Sequence, residues 1–570
     1  VGYVGDAQCA GCHPAIAQTY RKHSMGQSLA PITEVAGQQD YGTAAHNPFT
    51  ALEAEFLVKR QGQGVFHQET RRDAKGKVVL EHKAEVAYAI GSGAHAISYL
   101  IQRGDYLFQS PITWFSQKKR WDLSPGFETR HDRFERTVAA ECLFCHCNQV
   151  EPVEGTINRY REPLFRGHAI GCERCHGPGG LHVQDPGLID GCDPTIVNPA
   201  HLQPELREAV CEQCHLEGAN RVLRRGRAPF DFRPGLPLQL FWTTFVKSGG
   251  DDSHEVVSHV EQMHLSQCFQ KSAGKMGCIT CHDPHALPKP AVKVSYYRSA
   301  CLKCHRENQC SLPAGERQAK NGDDCNGCHL PRRVSSDVSH VAITDHRILR
   351  KPDSPSSGKR PTSRYPLVPF HRGPDGPGER EVARDLGIAL IEKARQEGGN
   401  GRAGELALPL LNAALQEDAS DVAALEARGY ALWLLRRPRE ALAAAETVLN
   451  REPQREIALV DAATAAEAVG RNEAALAYWR RAVEVNPWTS RYRFQRANLL
   501  AVRGEWEAAA EECRTVLRNN PGNVEARLLL VAYHVQRGDR DRARAEFEAV
   551  LALHPPEPDK LRAWFAEKMR

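Results

Sequence analysis

Short apolar runs broken by polar turns fill residues 48–135. Phe56-Leu57-Val58, Gly64-Val65-Phe66-His67, Lys77-Val78-Val79-Leu80 and Glu85-Val86-Ala87-Tyr88-Ala89-Ile90 are divided by turns such as Asp73-Ala74-Lys75-Gly76. The pattern predicts a small antiparallel sheet, extended by short strands around Ser98–Ile101 and Tyr106–Ile112. Residues 381–570 read differently. Composition turns to Ala, Leu, Glu and Arg, and Pro453, Pro487, Pro521 and Pro555 step by 34 residues. Gly470, Gly504 and Gly538 keep the step, as do Ala441, Ala475, Ala509 and Ala543. A period of this length predicts about five helix pairs, the first irregular. Glycine ends the first helix of a pair, alanine lets the second pack closely, and proline closes the unit. Cys513 falls in a second helix and reads as a small buried hydrophobe.

Between these regions neither period holds. The stretch 136–349 has short connections rich in Pro and Gly, too little polypeptide for an ordinary side-chain core. From Arg350-Lys351-Pro352-Asp353-Ser354-Pro355 to about 380 the chain is rich in Pro, Ser and Gly, which predicts an extended connector. The expected division is therefore a first segment 1–47, a β-rich insertion 48–135, a core 136–349, a linker 350–380 and a helical repeat domain 381–570. A chain of 570 residues is too long for one core,.

The chemistry sits in seven C-x-x-C-H stretches: Cys9 to His13, Cys142 to His146, Cys172 to His176, Cys211 to His215, Cys278 to His282, Cys301 to His305 and Cys325 to His329. The spacing suits covalent c-type haem. Cys9, Cys12, Cys142, Cys145, Cys172, Cys175, Cys211, Cys214, Cys278, Cys281, Cys301, Cys304, Cys325 and Cys328 form thioethers to the vinyl groups. His13, His146, His176, His215, His282, His305 and His329 supply the proximal nitrogen to iron. A zinc site or a redox dithiol also uses C-x-x-C. Neither explains why His follows every one, since His is 25 of 570 residues and chance supplies it about one time in twenty-five,. Seven porphyrins also answer the core deficit, because they bring buried apolar area of their own.

Relay haems need a second axial ligand, and 18 histidines lie outside the motifs. His182, His285, His340 and His346 are best placed, close to a motif or just past the last one. His95 ends a predicted strand in the glycine-rich corner Gly91–His95. His168, His259 and His264 are further candidates. At haem 1 the choice lies between His23 and Met25, and a Met ligand raises the potential. His67 and His82 read as solvated strand histidines. Cys147, Cys192, Cys268 and Cys310 remain; Cys268 with Cys310, and Cys147 with Cys192, are two candidate bridges that sequence cannot fix.

Whole phrases carry a family likeness. They include Ile170-Gly171-Cys172-Glu173-Arg174-Cys175-His176-Gly177-Pro178-Gly179-Gly180, Asp231-Phe232-Arg233-Pro234-Gly235-Leu236-Pro237-Leu238, Thr280-Cys281-His282-Asp283-Pro284-His285, Cys325-Asn326-Gly327-Cys328-His329-Leu330-Pro331-Arg332-Arg333 and Thr344-Asp345-His346-Arg347-Ile348. With them the chain resembles, over nearly its whole length, the multihaem cytochromes of the doubled-CXXCH kind with a C-terminal tetratricopeptide (TPR) array. The resemblance implies electron transfer through largely bis-histidine haems and favours His95, His182, His285, His340 and His346 as ligands. Cys147 and Cys192 depart from the usual pattern, which supports a local bridge. The expected fold is mostly α with a small antiparallel β-sheet, a haem-packed multihaem cytochrome c domain followed by an α-solenoid.

Three functions fit. The first is a heptahaem electron conduit between redox partner proteins, with the TPR domain binding a protein partner, packing on the haem domain or contacting a neighbouring copy. The second is the same conduit stacked as a homo-oligomer into an extracellular conducting filament. The third is a multihaem oxidoreductase whose one five-coordinate haem acts on a small nitrogen or sulfur compound; no motif carries an odd ligand to mark such a haem. Haem attachment of this type, and a first residue that is Val rather than Met, fit an exported, periplasmic or extracellular protein. No apolar run reaches membrane-helix length, and a net charge of +4 leaves no nucleic-acid footprint,.

Overall fold

The computed structural model describes residues 2–73, 75–128, 132–187, 192–249, 255–305, 310–351, 362–371 and 378–570. Most of the predicted linker therefore lies outside the described residues. The β-rich region forms two antiparallel sheets rather than one. A four-stranded sheet runs Phe49–Ala51, Ala54–Gln61, Gly64–Arg72 and Val78–Val86 in sequence order. A seven-stranded sheet joins Leu29–Pro31, Tyr88–Ile90, Ala96–Arg103, Tyr106–Gln109 and Arg136–Thr137; Ile112–Phe115 also pairs with Ala96–Arg103 and with Arg120–Leu123. Its outer strands lie beyond the expected limits of 48 and 135.

Alternation explains the packing. Ala54, Phe56 and Val58 point inward on one strand, and Val65, His67 and Glu69 on the next. Both sheets share one core, built on Phe49, Phe56, Val58, Tyr99, Phe108, Trp121 and Phe134. His67 and His82 belong to it, correcting the solvated reading. His67 is fully buried, its Nδ1 2.7 Å from Ser110 Oγ and its ring edge-on to Tyr99, and burial drops its pKa to about 3. His82 packs edge-on to Phe134.

Two smaller sheets follow. One pairs Asn220–Leu223, Trp242–Lys247 and Leu367–Pro369. The last of these strands comes from the stretch read as an extended connector: Leu367 and Val368 are apolar enough to bury, and they pin the end of the linker. The other pairs Arg332–Val334 with Ala342–Thr344.

The C-terminal region is a helical array. Five pairs run from Glu379–Gln396 with Gly401–Glu417 to Val524–Gln536 with Arg540–Ala552, and Pro558–Lys568 closes the chain. Gly470, Gly504 and Gly538 take left-handed φ of 78°, 83° and 74°, ending the first helix of their pairs as the period requires,. Ala441, Ala475, Ala509 and Ala543 are buried at the helix crossings, and Cys513 is fully buried. No helix among the described residues is long and apolar enough to cross a membrane.

The array docks on the rest of the chain through the turns that open its helices. Glu456 is fully buried, and its carboxylate accepts from Ile157 N (3.0 Å), Asn486 Nδ2 (2.9 Å) and Tyr492 Oη (3.0 Å). Glu456 N donates to Gly155 O at 2.7 Å, Asn486 Nδ2 to Asn158 Oδ1 at 3.0 Å and Tyr106 Oη to Val485 O at 2.6 Å. Further along, Arg224 pairs with the buried Asp385 at 2.5 Å. Replacing Glu456 by Gln sets an amide N–H against these donors and leaves buried groups unpaired, a cost of about 2 kcal/mol. We expect E456Q to lower the urea midpoint of the array's helical transition, whereas a change at the exposed Glu484 leaves it in place; an unshifted midpoint in E456Q would show the junction to be inert.

Candidate haem sites

Each motif occupies about one helical turn. Motif 1 lies in Asp6–Cys12, motif 3 around Glu173–His176, motif 4 at the end of Pro204–His215, and motif 7 in Cys325–His329. His13, His176, His282 and His305 donate their backbone N–H to the carbonyl of the motif's first cysteine at 2.8, 3.0, 3.0 and 3.0 Å. That turn explains the spacing: residues i, i+3 and i+4 share one face, so two thiols and an imidazole can meet one flat ligand.

The surroundings fit a large apolar cofactor. Helices Asp6–Cys12, Pro14–Tyr20, Lys293–Leu302, Ala314–Asn321 and Cys325–His329 bury no residue at all. Eleven of the thirteen exposed large hydrophobics, from Tyr3 and Ile16 to Tyr296 and Val334, fall in the two haem-bearing segments. A covalently attached porphyrin would supply the apolar cover that these helices otherwise lack.

Imidazole geometry is the sharper test. A ligating nitrogen sits about 2 Å from its metal with the ring centre about 1 Å behind it, so two imidazoles on opposite faces of one ion have centres about 6 Å apart. His13 and His182 are 6.3 Å apart with ring planes at 11°. His176 and His285 are 5.8 Å apart at 12°, and His282 and His346 are 6.4 Å apart at 28°. Outer partners orient several of these rings. His176 Nδ1 donates to Val197 O (2.8 Å), His329 Nδ1 to Leu349 O (2.8 Å) and His346 Nδ1 to Thr344 O (2.9 Å), while His182 Nδ1 meets Asp193 Oδ2 at 2.6 Å. Each leaves Nε2 as the free ligand nitrogen. Burial lowers the pKa of His176, His282 and His346, that of His282 to about 4, which keeps them neutral and able to ligate.

Other candidates are placed differently. His259 lies 5.6 Å from His215 but edge-on at 88°, and 4.8 Å from His346. His23 stacks on Tyr20 at 6.0 Å and its Nδ1 accepts from Met25 N at 3.2 Å, leaving Nε2 protonated in the neutral ring. His95 sits against Gln117, Nδ1 to Nε2 at 2.5 Å. His340 is turned to the β-rich region, with Nε2 2.9 Å from Asp122 Oδ2 and its ring on Phe115, so the structure does not bring it to a motif histidine. His168 packs with Tyr88 and Phe165, and His264 with Phe269 and Phe370. Neither proposed disulfide forms: Cys147 is buried in an apolar cluster with Leu143 and Tyr160, whereas Cys192 is exposed, 3.7 Å from His201 Nδ1, and Cys268 and Cys310 are both free thiols.

Sequence reading missed the groups that hold the motifs to one another. Glu173, between the cysteines of motif 3, accepts from Val4 N, Gly5 N and Gly179 N at 2.9, 2.8 and 2.8 Å, while Asp6 accepts from Cys172 N at 2.8 Å. Motif 1 is thereby stitched to motif 3 across more than 160 residues. Thiols of different motifs also lie close enough to shift one another's titration: Cys9 with Cys172, Cys145 with Cys214, Cys211 with Cys278 and Cys301 with Cys325.

Comparison with known proteins agrees with both halves of this description. The family model described as Doubled CXXCH motif matches residues 271–309, which hold motifs 5 and 6, and indicates covalently bound haem c there. Two models described as Tetratricopeptide repeat match 460–524 and 500–564, and TPR repeats mark protein–protein interaction. No curated protein matches. Among solved structures, a crystal structure of MamA is 19% identical over 30% of this chain and 91% of its own, with a TM-score of 0.28. MamA from Desulfovibrio magneticus RS-1 is 18% identical over 31% and 96%, TM-score 0.28. YrrB, titled a TPR protein with an unusual peptide-binding site, is 24% identical over 33% and 94%, TM-score 0.29.

Alkylation distinguishes thioethers from thiols. With fourteen cysteines bound to porphyrin, the unfolded, reduced protein is expected to take up label at Cys147, Cys192, Cys268, Cys310 and Cys513 alone. In the native protein at pH 8 the exposed Cys192 reacts, while Cys513, fully buried and pushed up to a pKa of about 12, stays unlabelled because only thiolate attacks,. Intact mass and peptide mapping read both results; label on any motif cysteine removes that attachment.

Proposed function

We propose that the chain is a heptahaem c-type cytochrome that conducts electrons between redox partners, with the TPR array as its protein-contact module. The observation that carries this reading is the pairing of motif and non-motif imidazoles at the separation of two axial ligands, His13 with His182, His176 with His285 and His282 with His346. A haem bound there supplies reversible one-electron iron chemistry. At motifs 1, 3 and 5 the protein's part would be to offer a second neutral imidazole to the iron, which would close those three haems to small substrates; an oxidoreductase haem would have to sit at another motif. The proximity of thiols from different motifs supports short hops, because attachment points that lie near one another would keep neighbouring porphyrins near. The neighbouring rings His215, His259, His346 and His282 link motifs 4 and 5 in the same way.

Ligand replacement tests the assignment. H182A, H285A and H346A are each expected to convert about one seventh of the iron from low-spin to high-spin, read by absorption and electron paramagnetic resonance. H340A leaves the spin state unchanged, because that ring serves Asp122. A wild type with no low-spin bis-histidine signal, or three silent variants, would remove the conduit reading.

A further inference from the structure

Resting on the conduit reading, we propose that the surface around motifs 5 to 7 docks a small acidic redox protein. Residues 286–351 hold twelve Lys and Arg against six Asp and Glu, a net of +6, whereas the whole chain nets +4. The remainder is therefore slightly acidic before any haem is attached. Each haem adds two propionates: the lobe 286–351 with motifs 6 and 7 falls to about +2 and the remainder with five haems to about −12, so the molecule stays polarised even though motif 5's propionates border the lobe. The molecule is electrically polarised, and an acidic partner is steered to this end of it.

The cations of the lobe divide by use. Arg298 and Arg317 are tied to Asp323 at 2.8 and 2.7 Å, and Arg347 to Asp345 at 2.5 Å. Lys289, Lys293 and Lys320 are exposed and make no ion pair among the described residues. Beside the first two stands apolar surface: Leu287 is 56% exposed, Val292 50% and Val294 39%. The helix Lys293–Leu302 carries two kinds of face. Val292 and Tyr296 line an open cavity of about 410 Å³ beside Cys281, where a porphyrin bound at motif 5 would lie against them. Leu287 and Val294 do not line that cavity and stay outside it with Lys289 and Lys293. An apolar centre with a cationic rim, between motifs 5 and 6 and on a helix whose Arg298 is tied to Asp323 just before motif 7, suits a partner that presents carboxylates around an exposed cofactor edge,.

Flavodoxin, which is acidic, serves as the probe. Its hydroquinone anion passes one electron to a ferric haem, leaving neutral flavin semiquinone and ferrous haem, with no proton transferred. The second-order rate is measured against ionic strength for wild type, K289E/K293E and K289Q/K293Q, together with the affinity of each for oxidised flavodoxin. The wild-type rate is expected to fall steeply with salt. At low salt the charge-reversed protein should be slower by about tenfold or more, with affinity weakened in parallel, and the Gln variant should lie between. A basic cytochrome c as probe shows no such loss. Equal rates and affinities in all three proteins, or a rate indifferent to salt, overturn the docking surface. Haem content and reduction by dithionite are read on the same samples. Lack of haem or of reduction sinks the conduit reading itself, whereas full haem with unchanged flavodoxin kinetics sinks only the docking surface.

Discussion

One turn of helix carrying two thiols and an imidazole on the same face is the constraint around which the N-terminal two-thirds is built. Several of the elements that present these turns are too short or too bare to fold for their own sake: the helices of motifs 1, 6 and 7, with the neighbouring Pro14–Tyr20 and Ala314–Asn321, bury nothing. Short helices are marginal in water even with good propensity, and only tertiary burial holds them. Polypeptide of this kind makes sense where a covalently attached apolar plate replaces the missing side chains. The polar stitching around it then has a specific task. Glu173 and Asp6 satisfy backbone N–H groups at the mouths of two distant motifs, fixing how two attachment turns face one another rather than adding apolar burial.

The β-rich region stands in contrast. It closes an ordinary core of aromatic and β-branched residues, and Trp121, Tyr99 and Phe108 meet there without any cofactor. Its polar interior still has a cost, since His67 keeps Nδ1 bonded to Ser110 while burial holds the ring neutral. This self-sufficient body lies beside the histidine-rich segment. His340 reaches across to Asp122, and Gln117 touches both His95 and the Ala342 backbone. His340 through Nε2, and His95 through Gln117 at its Nδ1, thus take part in holding the sheet to the last motif's hairpin.

How much was legible follows from the range of each interaction. The 34-residue period fixes helix ends through local backbone needs, a left-handed glycine and a small residue at the crossing, so the repeat could be read residue by residue. Strand alternation is equally local, and the runs at Phe56–Val58, Val65–His67 and Ser98–Ile101 fall inside observed strands. Histidine partners are another matter. His182, His285 and His346 lie near motifs in sequence, yet the motif histidine each meets is set by chain crossings: His182 faces His13 rather than His176, and His285 faces His176 rather than its neighbour His282. Solvated and buried strand histidines also look alike on paper, because the inward face of an antiparallel strand is known only once its neighbours are placed. The short apolar pair Leu367-Val368 was hidden within a proline- and serine-rich stretch, since two residues carry no period.

The helical array raises a question of where a partner could bind. Its helix ends carry Glu456, Asn486 and Ser490, and the helix Glu379–Gln396 carries Asp385; these are engaged by Ile157, Asn158, Glu135 and Arg224 of the same chain. A carboxylate with three donors on it, fully buried, is costly to expose, so this rim is not a surface that a partner takes over without first prising the array away. Contact with another protein therefore falls to parts of the array that the chain leaves uncovered. The stretch 151–160 also stands between the array and motif 2, tied to Glu456 at one end and to the Tyr106 strand at the other. The junction thereby fixes the array against the backbone that follows Cys147, ahead of motif 3.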